Sequence, residues 1–477
     1  MIQSHKRERP DRSSWAGVLP VVGLLFLLSS CIRFQPKPIS PAQVTRDFET
    51  RALNDQGLEE FLKKNQLVAK WPLDSWDLKS LTMAAFYFHP DLDVARAQWA
   101  VSRAGVITAG ERPNPSLNLG PGYNSTTPVS LVTPWIPGLN LDIPIEIAGK
   151  RGYRISQARH LSASARLNIT AVAWQVRSRL RGAMLGLYAS QETEARLSQQ
   201  QVIQAENSKL LELQQSAGEV SAYEVTQARI ALDNVSLAAL DTSRQRAEAR
   251  VLLADALGLP VSALEGIVLS FDSFGQFPSD IPAPEVRRQA VLNRADILGA
   301  LAEYAATQAA LQLEIARQYP DISIGPGYQL DQTDNKWTLG LTLTLPIFSR
   351  NRGPIAEAEA RRTESASRFL ALQASVIGEI DRAVAACRLA VQNSAAAESL
   401  VTNLKKQEKS VRVRYEAGEI SKLELAAVQL ELISSSVSRL EALIKTQEAF
   451  GLLEDAMQRP FDLPEELLSV PRRNPER

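Results

Sequence analysis

From about Gly149 to Ser216, and again from about Gly353 to Glu416, nothing strongly interrupts a helical pattern. At 1.5 Å per residue, a helix of ~65 residues spans ~100 Å, about three times the width of a small domain. Helices in water owe most of their stability to neighbours packed along them, so each long helix requires shorter helices stacked end to end beside it. Both stretches are too polar to cross lipid and must stand in water. Their alanines permit close approach of other helices, and their Gln, Glu, Arg and Ser supply a hydrated face. Each stretch ends in the same way, at SAGEVSAYE (216–224) and EAGEISKLE (416–424). Gly218 and Gly418 suit the residue just past a helix end. Ser221 and Ser421 suit the N-cap of the next helix, with Glu224 and Glu424 three residues on completing a capping box. Two tight helical hairpins are expected there.

The chain is internally duplicated. GPGY occurs at 120–123 and again at 325–328. HPDLDVARAQWA (89–100) matches RADILGALAEYA (294–305), and the tip sequences align without a gap as far as Pro260 and Pro460. The unit is about 180 residues, far longer than a solenoid repeat. The expected organisation is a first repeat over 75–260, an irregular connector over 261–284, a second repeat over 285–460 and a C-terminal tail over 461–477. Each repeat reads as a helix (77–110 and 285–317), a short strand around GPGY, a turn, a second strand, the long helix, the tight turn and a last helix.

The strands alternate with period two. In WTLGLTLTLPIF (337–348), Trp337, Leu339, Leu341, Leu343 and Leu345 alternate with Thr338, Gly340, Thr342 and Thr344. LNLDIPI (139–145) does the same in the first copy. Such alternation suits a transmembrane barrel, and equally a soluble, half-buried sheet. Two strands per copy make four, too few to close a barrel, and an open edge does not sit in lipid. If these strands span a membrane, several chains contribute, and three chains give twelve strands. The aromatic residues near their ends (Tyr123, Trp135, Tyr328, Trp337) suit a lipid interface. GPGY is expected where helix hands over to strand, with Pro144 and Pro346 at the return from strand to helix.

The N-terminus reads as an address. Residues 5–12 are basic and 15–30 apolar, then small, the layout of a signal peptide over 1–30. Leu28 to Cys31 (L-S-S-C) resembles the bacterial lipobox, which makes Cys31 the lipidation site; a chance cysteine after an ordinary signal is the alternative. Several acyl chains on one cysteine give stable anchoring. Ile32, where Asp would resemble an inner-membrane retention signal, points to the outer membrane. Prolines 36, 38 and 41 then read as the start of an extended tether over 31–74.

The remaining composition excludes more than it suggests. The net charge is zero, so no nucleic-acid partner is indicated. Two cysteines and three scattered histidines make neither a disulfide framework nor a metal site. No Walker loop, HExxH, CxxC or GxSxG occurs, so no enzyme and no cofactor are expected. Cys387 reads as a packed small residue and His89 as packed or solvent-facing. Lys150 and Arg151 suit lipid headgroups or solvent.

The duplicated helix–strand–strand–long helix–AG turn–helix unit, over residues 75–460, resembles the TolC-like outer-membrane efflux proteins. The resemblance implies a fold that is mainly α with a small membrane β-barrel. In that family, the duplicated unit forms, as a homotrimer, a 12-stranded β-barrel continued by a long α-helical barrel across the periplasm. It implies a periplasmic adaptor (membrane fusion) protein and an inner-membrane pump as partners. IEIAGKRGYR (145–154) further resembles the branch paired with heavy-metal cation pumps of the resistance-nodulation-division type; drug or solvent efflux and type I protein secretion remain alternatives. Gly218, Glu219, Ser221, Gly418, Glu419 and Ser421 would then form the adaptor-contacting tip. Glu224 and Glu424 become gate candidates, or remain simple helix caps. A second gate acid found in some members is Ala427 here, and an arginine lock is Ile420. The rival class is a lipid-anchored periplasmic coiled-coil scaffold, which has no need of matched period-two strands.

Overall fold

The structure is a computed structural model that describes residues 34–65, 70–126, 133–275, 277 and 284–460. The expected signal peptide, Cys31 and the tail 461–477 lie outside the described residues, as do 276 and 278–283 of the connector. The chain divides into two units, up to Thr50 and from Arg51 onward. In the first unit an irregular stretch leads into helix α1 (Pro41–Glu49), which buries no residue.

The second unit begins sooner than a tether over 31–74 allows. Helix α2 (Gln56–Lys64) is N-capped by Asp55, and buries Leu58, Phe61 and Leu62. These apolar residues recur at helical spacing, so one face of α2 joins the core, together with Leu53. The expected first helix, 77–110, is two helices, α3 (Leu78–Phe88) and α4 (Pro90–Gly110). Pro90 cannot donate the bond that would continue α3, and it biases His89 to extended backbone. The second-copy counterpart divides at the matching place. Arg294, in an extended-like conformation, separates α7 (Pro284–Asn293) from α8 (Ala295–Ala316).

Six strands follow the same duplication: β1 (Ser116–Leu119), β2 (Gly122–Tyr123), β3 (Trp135–Ile136), β4 (Gly138–Ile145), β5 (Ile322–Asp331) and β6 (Asp334–Leu343). They form an antiparallel sheet ordered β1-β4-β5-β6 and a small β2-β3 ribbon. β4 and β5 join the two copies at its centre. Among the described residues, β1 and β6 each have a partner on one side only.

The long helices are α5 (Lys150–Ser216, 67 residues) and α9 (Arg352–Glu416, 65 residues), each folding back through a short turn into α6 (Ala222–Leu257) and α10 (Lys422–Met457). α5 is the spine. It packs in turn on α3, α4, α6, α8 and α10, so its apolar residues are spread around it rather than along one stripe. The larger core gathers α2, α3, the middle of α5 and the end of α6. The connector closes it with Leu264 and Phe274, while Trp76 bridges Leu269 in parallel. The smaller core joins α7, the middle of α9 and the end of α10, with Cys387 fully buried. Burial pushes the Cys387 thiol up to about 11, which keeps it unreactive. Among the described residues no helix is long and apolar enough to cross a membrane.

Candidate functional site

The register sorts the sheet into two faces. Residues directly opposite one another share a face, and the pairs Leu119↔Leu139, Leu139↔Tyr328, Ile143↔Ile324, Ile145↔Ile322, Ile324↔Leu341 and Tyr328↔Trp337 carry one apolar face across all four strands. The pairs Asn118↔Asn140, Asn140↔Gly327 and Gly327↔Thr338 carry the other, which is small and polar. The apolar face is uncovered: Trp337, Leu339 and Leu341 are 79%, 77% and 72% exposed. A soluble sheet buries its apolar face, whereas a transmembrane strand turns it outward to lipid.

GPGY does not mark a handover from helix. In the second copy it lies in the middle of β5, where its glycines serve space rather than bending. A Cβ at Gly327 would come within 2.5 Å of Thr338 Oγ1, and one at Gly325 within 3.3 Å of Asn140 Oδ1. In the first copy it interrupts the strand between β1 and β2. Its tyrosine has one role in both copies, packing across the hairpin on a tryptophan. Tyr123 lies 5.1 Å from Trp135 and Tyr328 lies 4.8 Å from Trp337, centroid to centroid.

The strand-to-helix junction of the first copy is a clamp. Ala148 and Gly149 have positive φ and turn the chain into α5. Lys150, only 7% exposed, donates to the Tyr319 carbonyl (2.7 Å) and to Asp321 (2.8 Å). Arg151 donates to Gly110 O (2.6 Å), and Arg154 to Ala109 O (3.2 Å) and to Glu146. Arg151 and Arg154 thus sit on the carbonyl end of α4, where the helix dipole favours them, and Lys150 holds the segment that follows α8. Lys150 is therefore largely withdrawn from solvent, and Arg151 is half-buried with its Nε engaged. Their partners lie far off in sequence, which local pattern could not reveal.

Charged side chains also tie the copies together. Arg177 of α5 is completely buried and donates to Glu454 of α10 at 3.0 Å. Beside it, burial pushes the Asp455 carboxyl above its ordinary range, although Ser178 donates to it. At the helix breaks, His89 Nδ1 accepts from Asp91 N–H (3.2 Å), and burial holds its pKa below the ordinary 6.5. Arg294 makes a bidentate pair with Asp296 (3.0 and 2.6 Å). Sequence alone paired none of these; the sole signal was the closely spaced Arg177, Arg179 and Arg181 inside a helix.

The tips form as their motifs predict. Gly218 (φ 81°) donates to Gln215 O and Glu219 to Gln214 O, each at 2.9 Å; Gly418 (φ 76°) and Glu419 do the same with Tyr415 and Arg414. This is the Schellman arrangement. Ser221 and Glu224 exchange capping bonds (2.7 and 3.3 Å), as do Ser421 and Glu424 (3.0 and 3.2 Å). All eight of these tip residues are exposed. One oxygen of each glutamate is engaged in its cap. Lys422 also pairs with Glu206, linking the second hairpin to the first. No cluster of three or more metal-ligating side chains occurs among the described residues.

An uncovered apolar sheet, open at both edges and continued by ~100 Å helical hairpins, describes a piece of a membrane channel. The sequence profile of the outer membrane efflux proteins matches residues 85–259 and 286–457, and the chain belongs to that family. It is 24% identical over 375 residues to the cobalt-zinc-cadmium resistance protein CzcC of Cupriavidus metallidurans, covering 77% of this chain and 87% of the relative. It is 27% identical over 302 residues to the pyoverdine export outer membrane protein OpmQ of Pseudomonas aeruginosa, covering 58% and 62%. Its fold matches the open-state MtrE outer membrane channel of Neisseria gonorrhoeae with a TM-score of 0.67 at 16% identity, over 80% of this chain and 89% of that one. The protein is an outer-membrane efflux channel. Family and fold are those of channels rather than of enzymes or coiled-coil scaffolds.

Proposed function

We propose that three copies of this chain close one twelve-stranded barrel and one helical tunnel. This assembly passively conducts heavy-metal cations delivered by an inner-membrane pump of the resistance-nodulation-division type through a periplasmic adaptor. The observation that carries this reading is the four-stranded sheet itself, with an apolar face turned outward and an unpaired edge on β1 and β6. An open edge is not stable in lipid, and pairing β6 of one copy with β1 of the next removes every edge. The resemblance to a cobalt-zinc-cadmium resistance protein supports the choice of cargo. In this reading residues 1–30 are a signal peptide, Cys31 carries the lipid, and repeats 75–260 and 285–460 flank the connector 261–284. Gly218, Glu219, Ser221, Gly418, Glu419 and Ser421 meet the adaptor. Capping is the role that geometry supports for Glu224 and Glu424.

The test is the mass and outline of the detergent-solubilised protein, followed by deletion of its gene. A hollow trimer whose loss sensitises cells to divalent transition metals is the expected result. A monomer, or a filled rod released without detergent, removes the barrel. A trimer whose loss sensitises only to drugs or solvents, or only stops secretion of a protein, keeps the channel and replaces the cargo.

A further inference from the structure

Away from its two ends, the small polar face of the sheet bears one charged side chain, Asp142. Across the four strands, Ser116 pairs with Asp142, and Gly325 with Gly340. The flanking pairs Asn140↔Gly327 and Ile143↔Ile324 set Asp142 beside Gly325. The row therefore reads Ser, Asp, Gly, Gly. Two glycines on one side and a serine on the other give the half-buried carboxylate no bulky neighbour in its own row, although the Asn140 side chain lies over Gly325. At the hairpin end of the sheet Lys336 pairs with Asp331, next to Asp334, and at the junction Asp321 pairs with Lys150 and Glu146 with Arg154. Asp142 has no ion-pair partner among the described residues. The duplication does not repeat it, because Pro144 and Pro346 align and place Thr344 at the corresponding position.

We infer that Asp142 is a specificity-determining residue of the channel: three copies form a ring of carboxylates on the inner wall of the barrel that favours cations over anions. The inference rests on the trimeric barrel proposed above, in which the apolar face meets lipid and the polar face the lumen. A ring of like charges on a narrow, low-dielectric wall concentrates counter-ions and repels co-ions. Because the ring lies in the barrel rather than at the tips, it acts on whatever leaves the tunnel, whichever adaptor and pump are engaged.

The test is the reversal potential of purified trimers in planar bilayers under a potassium chloride gradient. Asp142→Asn lowers the potassium-to-chloride permeability ratio by about threefold or more, and Asp142→Glu retains the wild-type ratio. Ser116→Lys, which sets a cation across the strand pair from an intact Asp142, lowers it as well and decides the matter should Asp142→Asn fail to assemble. Channels of ordinary conductance whose selectivity is unchanged in both Asp142→Asn and Ser116→Lys overturn the inference while leaving the barrel standing. Absence of any conductance from wild-type trimers overturns the barrel, and the ring with it.

Discussion

The two copies of the repeat are alike at their tips and unlike at their strand-to-helix junctions and in the side chains at their helix breaks. At the tips, the same Gly, Glu, Ser and Glu make the same Schellman turn and capping box at the same positions. At the strand-to-helix junction they diverge. The first copy holds α4 and α8 with Lys150, Arg151 and Arg154; the second turns through Arg350 and Asn351, uses Asn351 to bond Glu314, and leaves Phe348 97% exposed. At the helix break, a buried neutral histidine faces Asp91 in one copy, and a bidentate arginine faces Asp296 in the other. The tip motifs have all their partners within a few residues, so duplication copied the whole device. Junctions and breaks depend on residues in other layers, and those layers differ between the copies.

The contrast can be tested from its largest effect downward. Arg177→Ala leaves Glu454 buried without its main partner, and such a break costs about 3–5 kcal/mol. Thermal or denaturant unfolding of the solubilised protein followed by circular dichroism reads it; a cost below ~1 kcal/mol would show that the copies are not pinned there. Lys150→Met removes two charge-assisted bonds from a largely buried amine, about 1.5–3 kcal/mol, while Asn351→Ala in the second copy costs less, near ~1 kcal/mol. Equal losses would erase the difference between the junctions. Ser221→Ala and Ser421→Ala should each cost ~1 kcal/mol and match one another, by the same unfolding measurement. A marked inequality would mean that tip surroundings matter after all.

The smallest effect is a pH slope. His89 has a folded-state pKa below 6.5 because burial disfavours the imidazolium. The unfolded chain therefore takes up more protons than the folded one as pH falls through about 6.5. That share of stability is complete above this pH and is lost below it. Asp455 acts with the opposite sign: its raised pKa makes stability decline as pH rises from 3.8 to the folded-state value. His89→Asn should flatten the near-neutral slope and Asp455→Asn the acidic one. Arg294→Gln, which leaves the imidazole of His89 in place, should leave the near-neutral slope unchanged.

What could be read in the sequence follows the same division between local and distant. Long helices, tip motifs and strand alternation were legible, because each is written in consecutive residues with a fixed period. The alternation even sorted the two faces, since register preserves it from strand to strand. The break at His89 had a local sign in Pro90 that helix periodicity outweighed; the matching break at Arg294 had none. GPGY was read as a bend because glycine and proline usually mark one. In β5 the glycines answer instead to Thr338 and Asn140 on neighbouring strands. The prolines that open the expected tether give no sign of where it ends, and Leu53, Leu58, Phe61 and Leu62 bind residues 51–65 into the core.

The two unpaired sheet edges bear on kinetics. Each helical hairpin folds back on itself within one chain, so forming the hairpin is a first-order step. In the trimer proposed above, β1 and β6 find their missing partners on another molecule, and steps that join subunits depend on concentration. In that trimer, abundance is thus a folding variable for the sheet edges and not for the turn of each hairpin. A scarce chain would wait with ten residues of β6 exposed on both faces, the condition in which strand edges recruit the wrong partner.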